Sequence, residues 1–251
     1  MGAPGCDDAP LVDVPLTTDE RTVTLVYPYY ENPNFLGDQL RHLNWLPLDL
    51  RGQLDLIVVD DGSPEHPAEE VMRLAACELR SVRLFRIEKD VRWNWLAARN
   101  IGAHHARTDW ISITDMDHRY PVDTAEVLVR GAHSRGIIYR FSRREHDGRR
   151  IHPHPNSWFM TRETYWRVGG YDEALSGHYG TDGEYRRRCA AASPIRIMTA
   201  ELERHEYVGD SSTTRYLRKQ PEDAVVKHII RARKPGWKPR TLSFPYEEVQ
   251  L

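Results

Sequence analysis

The sequence predicts an α/β protein, a single domain with a mostly parallel central sheet flanked by helices. Three observations carry this prediction. Between residues 22 and 118, short runs rich in β-branched and aliphatic residues alternate with amphipathic segments at helical spacing, a pattern that builds crossover units and therefore parallel strands. Two of the runs end in acidic clusters, Ile57-Val58-Val59-Asp60-Asp61 and Ile111-Ser112-Ile113-Thr114-Asp115-Met116-Asp117, and open α/β sheets gather their ligands at the carboxyl ends of strands. The chain has 251 residues with 40% hydrophobic content, enough to bury one sizeable core.

Taken in order, residues 1–20 are rich in Pro, Gly, Ala and Asp without apolar periodicity and read as a tail or loosely packed lead-in. A first strand follows at Thr22 to Tyr27, ended by Pro28 and the loop-like Tyr29-Tyr30-Glu31-Asn32-Pro33. Phe35, Leu36, Leu40, Leu43 and Leu46 fall on one helical face that stops near Pro47, and Leu54 to Val59 forms the next strand. A helix over about Pro67 to Leu79 leads to a strand at Val82 to Ile87. After a loop containing Trp93-Asn94-Trp95, residues Ala97 to Ala106 read as the helix that delivers the chain to the Asp115 strand. Further on come a helix over Val122 to Ala132, a strand over Gly136 to Ser142, a basic loop from Arg143 to Arg150, and a strand near Ile195 to Met198. Pro221 to Arg233 has Pro and acids in its first turn, bases in its last and an apolar stripe, the marks of a docked helix.

Composition narrows the function classes. A formal net charge of −2 gives no whole-molecule field for nucleic acid or an anionic membrane. Cys6, Cys77 and Cys189 are odd in number and lack metal-ligand spacing, which points to reduced thiols and a cytoplasmic protein. The N-terminus carries Asp7 and Asp8 where a secretory signal has bases, and no run reaches the length of a membrane span.

The acidic strand ends carry the chemistry. Asp-x-Asp spacing alone is uninformative in a chain with this many aspartates, but alternate residues of a strand point the same way, so Asp115 and Asp117 can reach one hard cation where the strand ends. Asp60 and Asp61 can accept hydrogen bonds from a base or ribose, and Arg99 can make bidentate contacts to oxygen. Each residue also has an ordinary structural reading: Asp60 as a strand-end cap, Arg99 as a helix-surface arginine, and Trp93 and Trp95 as packing against the sheet edge. The segment Gly177-His178-Tyr179-Gly180-Thr181-Asp182-Gly183-Glu184 opens a basic helix; a carboxylate there is held ionised and can act as a base, or simply cap the helix.

Five segments, in order, resemble the motifs of GT-A fold (Rossmann-like) glycosyltransferases of the family 2-like group over roughly residues 21–210: Val26-Tyr27-Pro28-Tyr29-Tyr30-Glu31, Ile57-Val58-Val59-Asp60-Asp61-Gly62-Ser63, Ala98-Arg99-Asn100-Ile101-Gly102, Asp115-Met116-Asp117, and Gly169-Gly170-Tyr171-Asp172-Glu173. The resemblance implies a nucleotide-diphosphate sugar donor, with Tyr27, Pro28, Glu31, Asp60, Asp61, Arg99, Asn100 and Asp115 around the nucleotide. It implies Mn²⁺ or Mg²⁺ on Asp115 and Asp117, with His205 as the third ligand and His118 as its competitor. Thr181-Asp182-Gly183-Glu184 is similar to the family's Glu-Asp-x-Glu motif with Thr181 for the first acid, which implies Asp182 as catalytic base and Glu184 as the second catalytic acid. It also implies a nucleotide-sugar half at 21–130 and an acceptor and catalytic half at 131–214; residues 215–251, beyond it, read as a basic helix and tail. Resemblance to family 2 implies inversion, whereas the Tyr179-Gly180 context also resembles the retaining polypeptide N-acetylgalactosaminyltransferases. His152 and His154, flanking Pro153, are read as lining a sugar pocket in preference to a metal site, since the acidic pair offers the better oxygen donors.

The acceptor is the least constrained part. Nine Lys or Arg against Glu222 and Asp223 between Arg215 and Arg240 form a local basic excess that serves either as a solvated helix face or as a contact to a polyanion. Compact proteins with similar segments occur in bacteriophages, some of which glycosylate hydroxymethylated bases, so a saccharide and modified DNA both stand as acceptors. Two rival functions remain: a nucleotidyltransferase of similar fold, against which Tyr27-Pro28-Tyr29-Tyr30 lacks a Gly-rich basic loop, and a non-catalytic sugar-nucleotide or glycan-binding module.

Overall fold

A computed structural model describes residues 9–205 and 222–251. Its eleven described strands form one sheet: β1 Leu11–Val12, β2 Val23–Tyr29, β3 Leu54–Asp60, β4 Ser81–Ile87, β5 Trp110–Ile113, β6 His118–Arg119, β7 Ile138–Glu145, β8 Arg150–Ile151, β9 Trp158–Thr161, β10 Ile195–Arg204 and β11 Tyr246–Val249. The main path runs β1-β10-β7-β9-β5-β2-β3-β4-β11, with β6 on β10 and β8 on β7. Strands β5, β2, β3 and β4 are parallel neighbours, as are β1, β10 and β7. Strand β9 is antiparallel to both β5 and β7, and β11 to β4. The expected mostly parallel sheet is thus two parallel blocks joined through one reversed strand.

Among the described residues seven α-helices precede residue 205: α1 Pro33–Asn44, α2 Leu48–Arg51, α3 Ala68–Leu74, α4 Trp95–His105, α5 Val122–Arg130, α6 Arg162–Val168 and α7 Asp182–Ala192; a C-terminal helix spans Glu222–Arg231. Side chains that alternate along the strands feed two cores. Val23, Leu25, Tyr27, Leu56 and Val58 join Leu36, Leu40 and Leu43 of α1 on one face. Val26, Ile57, Val59 and Ile113 join Ile101 of α4, Tyr165 of α6 and Tyr185 of α7 on the other. No helix among the described residues is long and apolar enough to cross a membrane.

Four segments differ from the sequence reading. Pro28 lies inside β2 and does not end it, pairing with Val59. The Val26 carbonyl accepts the Thr114 N–H on the β5 side, and Pro28, two residues on, faces that same side past the last β2–β5 pair at Val26 and Ile113. Its missing N–H therefore breaks no ladder bond. Residues 9–20 are not a loose lead-in: β1 is an edge strand on β10, Val14 is buried, and Leu16 bridges Gly131. The basic loop is a hairpin of β7 and β8 whose Arg144, Arg149 and Arg150 pair with Glu203, Glu145 and Glu201, and opposite charges on adjacent strands favour this register. The C-terminal tail ends in β11, with Arg83 bonded by Nε and Nη2 to the two oxygens of Glu248 at 2.7 and 2.9 Å.

Helix α4 reaches the sheet closely because of Gly102. A Cβ there would lie 2.2 Å from Val26 Cγ1 and 3.3 Å from Val26 Cβ. Gly102→Ala forces the helix off β2, and overpacking of this kind costs about 1–3 kcal/mol. Chemical denaturation is expected to show that loss; an unchanged midpoint would mean α4 shifts without cost.

Candidate functional site

The acidic strand ends come together on one side of the sheet, at the carboxyl ends of β3 and β5. After β5 the chain makes a tight turn, with His118 N–H on the Asp115 carbonyl at 3.1 Å, and enters β6. The turn leaves the Asp115 and Asp117 side chains 35% and 36% exposed, both open enough to receive a ligand. Asp115 Oδ1 is ion-paired with Arg99, and its Oδ2 lies 3.4 Å from His154 Nε2. Asp117 Oδ1 lies 2.6 Å from His118 Nδ1, and His118 Nε2 lies 3.2 Å from an Arg143 terminal nitrogen. Burial pushes the Asp115 carboxyl up, aided by the Asp117 charge and opposed by Arg99. Burial also works against Asp117, but the His118 imidazole, joined by His154 and Arg204, holds that carboxyl below the usual carboxylate range.

This donor set fits a hard divalent ion only in part. His205 does not join it: its Nε2 lies 3.3 Å from Asp38 Oδ2, its ring packs against Phe35, and only its backbone N–H reaches the Asp117 carbonyl, at 2.8 Å. Pairing across β6 and β10 aligns the backbone of His118 with Arg204 and turns the next side chain, His205, toward α1. His118 is likewise spent, on Asp117 and Arg143. The imidazole beside Asp115 is His154, held at Nδ1 3.1 Å from Ser157 Oγ. Among the described residues the one trio with ligand atoms within 4.8 Å is Glu31, Glu65 and His66, so no closed three-residue nest exists at Asp115 and Asp117. Two part-open carboxylates suit Mn²⁺ or Mg²⁺ that takes its remaining oxygens from water and substrate phosphates.

The residues expected around the nucleotide divide into two groups. Tyr27 is wholly buried in the α1 core, its hydroxyl 3.4 Å from Gln39 Oε1, and does not face the strand ends. Pro28 is a buried strand residue. Asp60 is a cap: Oδ1 accepts Ser63 N–H and Oδ2 accepts Ala68 N–H at the start of α3, both at 2.8 Å. Glu31 staples the same loop, its Oε1 accepting Glu65 N–H at 2.8 Å and His66 N–H at 3.3 Å. Asp61 is different. It is 4% exposed, its carboxylate accepts Asn94 N–H, and its Oδ1 has no hydrogen-bond partner among the described residues. Burial, then the charges of Asp60 and Asp90, push its carboxyl well up. A buried acceptor with an unused oxygen is poised for an N–H or O–H donor.

Arg99 and Asn100, adjacent on α4, do separate work. The Arg99 guanidinium is fully buried between Trp95, 4.1 Å from its ring centre, and Tyr171, at 5.3 Å. It holds Asp115, while its Nε and Nη1 have no hydrogen-bond partner among the described residues. Asn100 clamps the Gly169–Glu173 turn. Its Nδ2 donates to the Tyr171 carbonyl at 2.8 Å and Glu173 Oε1 at 2.7 Å, and its Oδ1 accepts Tyr171 N–H and Tyr165 O–H. Gly170 lies at φ +63°, and a Cβ there would fall 2.7 Å from Asn100 Oδ1, so the second glycine of the motif admits the clamp. Asn100→Ala strands these buried partners and is expected to cost about 1–3 kcal/mol or more, read as a lower melting temperature; an unchanged one would show that water replaces the amide.

On the acceptor side, Asp182 opens α7 and Asn156 Nδ2 donates to its Oδ1 at 2.7 Å. Burial pushes its carboxyl up, countered by Asn156 and Arg99, with Asp115 adding to the rise. Asp182 thus sits within electrostatic reach of the Asp115–Arg99 pair. Glu184 is ion-paired instead: Arg188 bonds both its oxygens at 2.8 Å and Arg233 bonds Oε1 at 2.6 Å, so the residue expected as the second catalytic acid is engaged by two arginines. Trp93, at φ +49°, packs 5.2 Å from the half-exposed Tyr179. The sequence reading missed Asn156 and the part played by His154 at Asp115; the only available signal was the His-Pro-His-Pro-Asn string preceding β9.

A parallel β2–β5 block with part-open aspartates at its strand ends, followed after a reversed strand by a helix that opens on Asp182, defines a GT-A fold. The chain belongs to glycosyl transferase family 2, whose model matches residues 24–187. Among solved structures it is similar to S. aureus TarS 1-349 in complex with UDP-GlcNAc, with a TM-score of 0.66, 13% identity, and coverage of 83% of this chain and 65% of that one. It is similar to the mannosyltransferase PcManGT of Pyrobaculum calidifontis with GDP-Man and Mn²⁺, with a TM-score of 0.62, 18% identity, and coverage of 93% and 70%. It is also similar to GalNAc-T7 with UDP, GalNAc and Mn²⁺, with a TM-score of 0.60, 16% identity, and coverage of 84% and 48%. This chain therefore spans about two thirds of that TarS chain and half of that GalNAc-T7 chain. A search among curated proteins found no match.

Proposed function

We propose that this protein transfers a sugar from a nucleotide-diphosphate donor to an acceptor hydroxyl, with inversion. The observation that carries the reading is the placement of Asp182 at the start of α7, held by Asn156 and within electrostatic reach of Arg99 and the part-open Asp115. Residues 21–130 hold the donor in this reading: Asp61 takes a hydrogen bond from the base or ribose through Oδ1, and Arg99 offers its unused N–H groups. Asp115 and Asp117 would hold Mn²⁺ or Mg²⁺, which neutralises the diphosphate leaving group. Residues 131–214 supply the base. Asn156 fixes Asp182 Oδ1, leaving Oδ2 to accept the proton from the acceptor hydroxyl as its oxygen attacks the sugar. Of the two acids in this motif, Asp182 alone is left for that task, since Glu184 is spent on arginines. One base and one displacement mean inversion. A cytoplasmic setting belongs to the same reading, supported by the odd cysteine count.

We take the acceptor to be a saccharide hydroxyl. The basic patch is thinner than its composition: Arg215, Arg218 and Lys219 lie outside the described residues. Arg233 bonds Asp172 and Glu184, and Arg240 gives its backbone N–H to Asp172 and its guanidinium to the Glu173 carbonyl. Lys227, Arg231, Lys234 and Lys238 remain exposed, and they keep hydroxymethylated DNA as the competing acceptor.

The test is a panel of UDP- and GDP-sugars with and without Mn²⁺, scored by melting temperature and by nucleotide release. One donor is expected to raise the melting temperature only with metal and to be turned over. Binding without turnover would leave a sugar-nucleotide module, and pyrophosphate release a nucleotidyltransferase. Transfer to oligosaccharides and to hydroxymethylcytosine DNA at two ionic strengths separates the acceptors, because phosphate contacts weaken with salt at a log–log slope of about −0.9 each.

A further inference from the structure

The family match ends at residue 187, yet residues beyond it converge on two acidic motifs inside it. Arg233 places Nη1 2.6 Å from Glu184 Oε1 and Nη2 2.6 Å from Asp172 Oδ2, with its guanidinium carbon 3.5 Å from the centre of the Trp237 ring. Both acids are almost wholly buried, at 4% and 1% exposure, and Arg233 itself is only 14% exposed. Asp172 Oδ1 accepts Arg240 N–H at 3.0 Å. Glu173 accepts Leu242 N–H at Oε1, and Ser243 N–H and O–H at Oε2, all within 2.6–2.7 Å. The C-terminal segment is therefore strapped onto the Gly169–Glu173 turn and onto the first turn of α7.

These contacts lie on the path between the donor and acceptor sides. Glu184 stands two residues after Asp182 on the same helical turn, so fixing Glu184 fixes the backbone that carries Asp182. Asp172 belongs to the turn that Asn100 clamps, and Asn100 neighbours the Arg99 that holds Asp115. One guanidinium thus joins the base-bearing helix to the element anchored beside the aspartates. Two prongs on one rigid plane set a distance and an angle that a single ammonium does not.

We propose that Arg233 is a positioning residue for glycosyl transfer, holding α7 and the Gly169–Glu173 turn at the separation that lets Asp182 meet the acceptor, so that the C-terminal segment is part of the catalytic unit. This rests on the glycosyl-transfer reading above. Arg233 touches neither donor nor acceptor; it acts through Glu184 and Asp172.

Arg233→Ala is expected to lower kcat by about 10- to 100-fold, the scale of a small misplacement of a reacting group. KM for the donor, and the melting-temperature rise that donor and Mn²⁺ produce, should stay at wild-type levels. Low-millimolar guanidinium chloride should restore part of the lost turnover by filling the vacated slot between Glu184 and Asp172, with sodium chloride inert at the same ionic strength. A merely structural loss would be worsened by guanidinium. Arg233→Lys should fold if the alanine variant does not, and it should show the same kcat deficit in smaller measure. Wild-type kcat in either folded variant overturns the proposal, as does a kcat loss that follows donor affinity or ignores guanidinium. If the wild-type protein itself turns over no donor, the glycosyl-transfer reading fails first, and the inference with it.

Discussion

Asp182→Asn is expected to lower kcat by about 100-fold or more, in line with the loss of a general base, while leaving donor affinity and melting temperature nearly unchanged. The amide keeps the shape of the carboxylate and still accepts the Asn156 N–H, so the helix start is preserved. What disappears is the proton acceptor. The pH dependence sharpens the test. Burial, opposed by Asn156 and Arg99, raises the folded-state pKa of Asp182 above its ordinary 3.8, so the fraction ready to accept a proton grows as pH rises through that raised value. Wild-type kcat should therefore show an acid limb displaced upward from the ordinary carboxylate range, and the residual rate of the variant should lack it. The same sign makes ionised Asp182 a small stability liability, present at neutral pH and relieved as pH falls through the raised pKa. Near-normal turnover with an unchanged acid limb would return Asp182 to helix capping.

Alternation of strand and helix, and the acids at the ends of β3 and β5, were legible because they follow from local period and from where a parallel sheet exposes its ends. The roles of individual residues were less so. Asp60 and Asp61 are adjacent and chemically identical, yet Asp60 is consumed by Ser63 and Ala68 N–H groups while Asp61 keeps an oxygen without a partner. That outcome depends on how the following loop folds back, which no spacing rule contains. Asn100 looks like a ligand residue beside Arg99, but helical rotation turns it toward Gly170 and Glu173. Arg233 reads as one base in a charged run, since its partners lie 49 and 61 residues away. His205 fell at the right distance along the sequence for a ligand, and the antiparallel seating of β6 on β10 aimed it at Asp38 instead.

Asp117→Asn is expected to remove the metal-dependent part of donor binding and, with it, turnover. Asp117 is the informative position of the pair because its neighbour does double duty. Replacing Asp115 would strand the fully buried Arg99 guanidinium, and an orphaned buried charge costs about 3–5 kcal/mol, which would mix unfolding with loss of metal. Asp117 engages His118, and an asparagine carbonyl oxygen can still accept the imidazole N–H, so the β6 turn survives while one negative charge and one hard anionic oxygen are lost. His118 holds the wild-type Asp117 carboxyl below the usual range. It is therefore ionised through neutral and mildly acid pH, and any stability it contributes is lost only as pH falls through that depressed pKa. A ligand present at 100 times its dissociation constant stabilises the folded state by about 2.7 kcal/mol, large enough to read as a melting shift. With a binding donor fixed, the wild-type shift should rise with Mn²⁺ concentration, and the Asp117→Asn shift should be small and indifferent to Mn²⁺. If the variant keeps the wild-type Mn²⁺ dependence, the ion is held elsewhere, and the trio Glu31, Glu65 and His66 becomes the place to look.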